Sequence, residues 1–200
     1  MGRGRHNGCM ASPAIDLTTK PTLEGDLVLL RPLDGHDVDA MAAILGDPQV
    51  RILTGSVTST AEAREPFVAD EEFRNWYASR PDQDDRRALA IVERATGALA
   101  GEVVLNEVDR DRRTANLRIL IGLRWQDRGL GTEAVRLLTG YALTEIGLRE
   151  VTLGVLATNP RAHRVYEKIG YRVVRTRTGA VMFDGAPVDE IVMSMSIGEG

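Results

Sequence analysis

The chain has 200 residues, 43% hydrophobic and 27% charged, a balance that suits a soluble globular fold with its own core and excludes a fibrous or disordered chain. Its net charge of −4, from 25 basic and 29 acidic residues, argues against non-specific nucleic-acid binding, which needs a strong basic excess. One cysteine, Cys9, excludes an internal disulfide and a thiolate zinc site, His6, His36 and His163 lack metal-ligand spacing, and no apolar run nears the roughly 20 residues of a membrane span. No metal and a cytoplasmic location are therefore expected.

Residues 1–22 are polar, carry Gly2, Gly4, Gly8, Pro13 and Pro21, and lack periodicity. They read as a disordered leader before a single domain at residues 23–197. The basic start is not followed by an apolar core, which speaks against a secretory signal. Leu27–Arg31 reads as a strand. Asp34 can cap the next helix, where Val38, Met41, Ala42 and Leu45 stand at helical spacing until Pro48 stops it. Residues 60–79 read as helix in two pieces around Pro66. Strands at Arg87–Glu93, Leu99–Val108 and Asn116–Leu123, joined by polar turns, make an antiparallel meander. A helix spans Thr132–Glu145 and a strand Val151–Leu156. Asn159-Pro160 supplies the cap and first residue of a helix that Gly170 ends. Strands at Tyr171–Arg175 and Glu190–Ser196 flank a turn at Asp184-Gly185, and the last three residues should fray. This order makes an α+β fold around one central mixed sheet.

Two segments carry chemistry. Gln126-Asp127-Arg128-Gly129-Leu130-Gly131-Thr132 lies between a strand and a helix. Its glycines permit a sharp turn and close backbone approach, and the helix behind it offers unpaired N–H groups to a phosphate. Arg128, with Arg124 near it, could add charge. Alone, this run also fits a plain turn. Gly129-Leu130-Gly131-Thr132-Glu133-Ala134 matches a dinucleotide-binding fingerprint, but four residues separate it from the strand end and no second βαβ half follows. A Walker loop would need Gly-Lys-Ser/Thr. In the second segment, Asn159, Ala162 and Tyr166 share one helical face, a small residue between two polar-tipped ones. Alone, that pattern also fits a cap and a core aromatic.

Together, Gln126-x-x-Gly129-x-Gly131 and Asn159-x-x-Ala162-x-x-x-Tyr166-Glu167-Lys168-x-Gly170-Tyr171 resemble the GNAT N-acetyltransferase superfamily, and most closely its RimJ/RimL-like ribosomal-protein branch. The resemblance covers roughly residues 26–197. It implies a three-layer fold: a central, mostly antiparallel twisted sheet, helices on both faces, and a splayed parallel strand pair. It implies acetyl-CoA as cosubstrate and an amine acceptor, either a protein N-terminus or a small amine. Ile119 and Ile121 would pair through their backbone with the pantetheine arm, as an added strand does. Residues 126–132 would hold the pyrophosphate, and Asn159 and Ala162 would line the far side of the arm. Backbone N–H near Ile121 would stabilise the oxyanion, and Tyr166 would protonate the leaving thiolate. A homodimer is expected by analogy alone.

One departure stands out. Many RimJ/RimL-like proteins carry a glutamate where this chain has Asn116, so no general base is named; Glu102, Glu107, Asp184 and Asp189 are the carboxylates at hand. His163, one residue off the Asn159–Tyr166 face, should face solvent. A CoA-binding module without turnover, and a nucleotide-binding α+β domain, are the competing readings.

Overall fold

Apolar residues run without interruption through Ala88–Val92 and return at Val103–Leu105, a pattern that only a strand covered on both faces can satisfy. The computed structural model describes residues 14–197, and these two strands lie at the heart of its sheet, β3 (Arg87–Glu93) wholly buried and β4 (Leu99–Asp109) buried as far as Leu105. Before them come β1 (Leu23–Glu24), β2 (Val28–Pro32), α1 (Val38–Leu45), α2 (Pro48–Leu53), α3 (Thr60–Arg64) and α4 (Glu71–Ala78). After them come β5 (Thr114–Ile121), α5 (Leu130–Thr144), β6 (Glu150–Leu156), α6 (Pro160–Ile169), β7 (Arg172–Phe183) and β8 (Ala186–Ser196).

The eight strands form one sheet in the order β1-β2-β3-β4-β5-β6-β8-β7. Every neighbouring pair is antiparallel except β5 and β6. Helix α5 lies on one face, where Gly131 faces the Ile119 and Ile121 side chains. Helix α4 lies on the other, where Tyr77 donates to Glu102. The α+β expectation with helices on both faces and one parallel pair is what the chain adopts.

The helix ends follow from local chemistry. Asp34 and Asp37 form a reciprocal capping box before α1. Asp47, Ser59 and Asp70 cap α2, α3 and α4 through their side chains. Pro48 departs from expectation: α1 has already ended at Leu45, and Pro48 opens α2, whose first position tolerates a residue without an N–H. Pro66 does lie in the break between α3 and α4. Strand β7 runs far past Arg175, to Phe183. It is an exposed edge strand, so its sequence carries no buried alternation to mark its length.

Residues 14–22 correct the leader reading; residues 1–13 and 198–200, with the leader and fraying readings that fall on them, lie outside the described residues. Ile15 and Leu17 are buried. Lys20 Nζ donates to the carbonyls of Leu17, Gln83 and Arg86, and the buried Arg87 donates to Asp16 O. Two apolar residues spaced by one are too short a signal to read as structure, yet they cover the lower edge of the core.

Candidate active site

Strands β5 and β6 pair only over Thr114–Asn116 and Glu150–Thr152. Beyond Asn116, β5 continues to Ile121 and β6 to Leu156 with no pairing between them. The sheet therefore opens in a V whose closed end is at Asn116 and Thr152. Backbone direction alternates along a strand. Gly122 N donates to Ala100 O, toward β4, so the odd residues of β5 turn their N–H and C=O toward β6: the N–H of Leu117 closes the last rung of the pairing at Asn116 and Thr152, and Ile119 and Ile121 present theirs to the opening. Two bonds agree: Thr152 Oγ1 reaches Ala115 O, and Gln126 Nε2 reaches Ile121 O. Ile119 thus offers a bare strand edge, whereas the carbonyl of Ile121 is already taken. Ile121 also stands about 17 Å from the closed end, at roughly 3.3 Å per residue.

The wide end of the V meets the glycine loop. Gly129 holds φ +82° and Asp127 φ +59°, and the left-handed backbone at Gly129 suits glycine. Gly129 stands at the N-cap of α5 without a side-chain cap, and the first bond there is Glu133 N to Gly129 O. The N–H groups of Leu130, Gly131 and Thr132 are left to a ligand, at the positive end of a 15-residue helix. The side chain of Leu130 is buried in the core, so only its backbone can serve. Arg128 is pinned by an ion pair to the buried Glu93, which leaves its other guanidinium nitrogens for an anion. Arg124 stacks on Trp125 at 3.9 Å.

Across the opening, Asn159 Oδ1 accepts from Ala162 N at 3.1 Å and caps α6, while its amide nitrogen has no partner among the described residues. Arg161 donates to Gln126 Oε1 at 2.8 Å and pairs with Asp127 at 3.1 Å. These contacts tie the loop to α6 at the mouth. Tyr166 is buried, and burial pushes its phenol up to about 12. Its ring lies 6.1 Å from that of Tyr171. The Tyr171 hydroxyl is bound to Thr139 at 2.7 Å, whereas that of Tyr166 has no partner among the described residues. Of the two phenols, only Tyr166 is available. His163 does not simply face solvent: its Nε2 is buried without a hydrogen bond among the described residues.

The carboxylates sort by partner. Glu102 is buried with Arg80, at 3.1 Å, and Tyr77; burial pushes its carboxyl up while Arg80 and the Tyr77 hydrogen bond hold it down. Asp184 caps α3 through Thr60 N and Oγ1, which ties the β7–β8 hairpin to the helical layer. Asp189 accepts from Gly179 N. Glu107 holds φ +50° beside the β4 bulge. Asn116, at the closed end, donates to Asn106 Oδ1 at 2.9 Å.

Three residues escaped the sequence reading. Glu133 accepts from the N–H groups of Asp26, Leu27 and Val28 and fixes the β1–β2 turn to α5. Glu93 and Arg161 hold the glycine loop. Glu133 alone had a signal, an acid in the first turn of a helix, and it fitted the dipole equally well.

Residues 28–172 match the model of the acetyltransferase (GNAT) domain. The chain belongs to the GNAT acetyltransferase family. The spermidine N(1)-acetyltransferase of Escherichia coli K12 is 34% identical over 110 residues, 54% of this chain and 58% of that relative. The match thus spans little more than half the relative's length. An L-amino acid N-acetyltransferase of Escherichia coli K12 is 23% identical over 169 residues, 84% of this GNAT chain and 96% of the relative. Among solved structures, a spermidine N-acetyltransferase from Vibrio cholerae in complex with CoA and spermine superposes with TM-score 0.73 at 20% identity, covering 86% of this chain and 96% of that one. At that identity the likeness speaks for the fold, which is the GNAT fold.

Proposed function

We propose that the protein is an N-acetyltransferase that moves an acetyl group from acetyl-CoA to a primary amine, in the RimJ/RimL-like branch and in the cytoplasm. The carrying observation is the V between β5 and β6, with a bare strand edge at Ile119 and an uncapped helix start at Gly129–Thr132. A chain of amides ending in a diphosphate fits both features: an added strand along Ile119 and an anion at the N–H groups of α5. Gln126 and Asp127 shape the mouth, and Asn159 and Ala162 form the opposite wall. Membership in the family and the CoA in the Vibrio cholerae structure support this reading.

Bound acetyl-CoA would supply an acetyl thioester, whose C–S bond breaks as the amine nitrogen bonds to the carbonyl carbon. Tyr166 holds its proton throughout the physiological range, because burial raises the phenol, and gives it to the departing sulfur. The N–H of Ile119 serves the oxyanion better than that of Ile121, which stands at the wide end, and the C=O of Ile119 is left to the amide chain. Asn116 carries no charge and cannot take the amine proton, which leaves to a base in solution. A CoA-binding module without turnover is the second reading, and the Asn116–Asn106 amide pair favours it. A homodimer and a protein N-terminal acceptor remain parts of the proposal.

Calorimetry with CoA, followed by thiol release over an amine panel, tests this. Micromolar CoA binding and acetylation are expected, with Tyr166→Phe losing about 10²- to 10⁴-fold in kcat. Binding without thiol release would leave the module reading; no CoA binding would remove both.

A further inference from the structure

Arg118 is an exposed charge beside the opening that the proposed transfer does not use. It sits directly opposite Val104 in the β4–β5 ladder, with Asn106↔Asn116 on one side and Glu102↔Leu120 on the other. Directly opposed residues share a face, so Arg118 lies on the α4 face, one pleat beyond Asn116, just where β6 has left β5. Among the described residues it donates no hydrogen bond; it feels Glu102 only through space. Glu102 is already committed to Arg80, and Arg86 is paired with Asp85. The β5 wall on this face is therefore positive.

The opposite wall carries a free acceptor oxygen within an ion pair. Thr152 is in register with Asn116, so Gly154 shares the face of Arg118. Gly154 has no side chain, and the Glu190 carboxylate lies against it, close enough that a Cβ there would stand 2.2 Å from Oε1. Arg177 engages Glu190 Oε2 at 2.8 Å, from the far side of the hairpin. Among the described residues, an unpaired arginine on one wall and the free Oε1 of a paired carboxylate on the other thus flank one opening.

We infer that the acceptor is a free α-amino acid, its carboxylate held by Arg118 and its amine hydrogen-bonded to Glu190 Oε1. This rests on the acetyltransferase reading of the same opening and narrows it. A polyamine carries no anion for Arg118 and would meet an unpaired like charge there. A protein N-terminus has an amide where the carboxylate would be.

Thiol release is measured for α-amino acids, for the same amino acids as amides, and for spermidine, with the parent protein, Arg118→Gln and Arg118→Lys. The parent is expected to prefer the carboxylate form in kcat/KM. Arg118→Gln should lower that carboxylate-over-amide preference about 10- to 100-fold, mostly through KM, the range of a hydrogen bond to a charged group. Arg118→Lys should restore part of it, as a point charge without the planar fork does. Faster acetylation of spermidine or of the amides by the parent, or an unchanged preference in Arg118→Gln, overturns the inference and leaves acetyl transfer standing. Thiol release from no amine, with CoA bound, overturns both.

Discussion

Glu102 shows how much a single buried carboxylate can commit. It is 8% exposed, bridged by Arg80, which is 3% exposed and stacked 3.9 Å over Trp76. Replacing Glu102 with alanine strands a buried guanidinium, and the loss of one partner of a buried pair typically costs about 3–5 kcal/mol. Denaturant unfolding of Glu102→Ala should show that loss, and Arg80→Met/Glu102→Leu together should recover most of it. An unchanged midpoint in Glu102→Ala would mean that Arg80 is solvated and the pair is not the anchor described. The same commitment takes Glu102 out of the pool of bases. Arg80 and Tyr77 occupy its oxygens, and α4 stands where an amine would need to approach.

At the scale of an element, the two glycines that head α5 have different reasons to be glycine. Gly129 sits at φ +82°, and a Cβ there would lie 3.0 Å from Leu27. Alanine in a left-handed position costs about 1–2 kcal/mol. Gly131 has ordinary helical backbone, and a Cβ would make normal contact with Ile121 and Ile119 at 3.5 and 3.7 Å. Gly131→Ala should therefore keep the melting temperature, whereas Gly129→Ala should lower it. A branched side chain at Gly131 would not fill the phosphate position, because the missing side chain faces the sheet. In β4, Gly101 has a stricter reason: a Cβ would stand 1.9 Å from Leu120 O, so backbone must move. Gly101→Ala is expected to destabilise by about 1–3 kcal/mol and to widen or close the end of β5. Unfolding and CoA titration of the same variant report both effects.

For the whole molecule, the buried tyrosines weaken the fold at alkaline pH. Burial pushes Tyr166 up to about 12 and raises Tyr77 and Tyr171 as well. The folded state therefore holds these protons more tightly than the unfolded chain, where a phenol titrates near 10. Their contribution is complete below about pH 10 and is lost as pH climbs toward the folded values, by roughly 1.4 kcal/mol per unit for each such phenol. Unfolding midpoints between pH 9 and 12 should fall, with phenolate absorbance rising together with loss of structure. More than one phenolate appearing near pH 10 in an intact fold would show these rings to be solvated, the fourth tyrosine, Tyr141, being only partly buried. The segment at residues 14–20 is the other global element. Lys20→Met removes three donations to carbonyls and should lower stability without touching CoA binding.

Most of the element order, the helix starts at Asp34 and Asn159 and the two motifs at Gln126–Thr132 and Asn159–Tyr171 were legible in the sequence, because caps, turns and helical spacing are local; α2, which Pro48 opens, was not, since a proline reads equally as a stop and as a first helical residue. So was the missing charge at Asn116. The length of β7 was not legible, since an exposed edge has no buried periodicity, nor was the docking of Ile15 and Leu17, which exists only against Gln83–Arg87. Nothing local revealed that Arg128 is held by Glu93, or that Gln126 and Asp127 are bound by Arg161. Tertiary structure alone decided where β5 and β6 part, since pairing is a relation between strands about 35 residues apart. It also decided which charges stand on the two walls, because the face of Arg118 follows from its register with Val104 and that of Glu190 from its seat over Gly154.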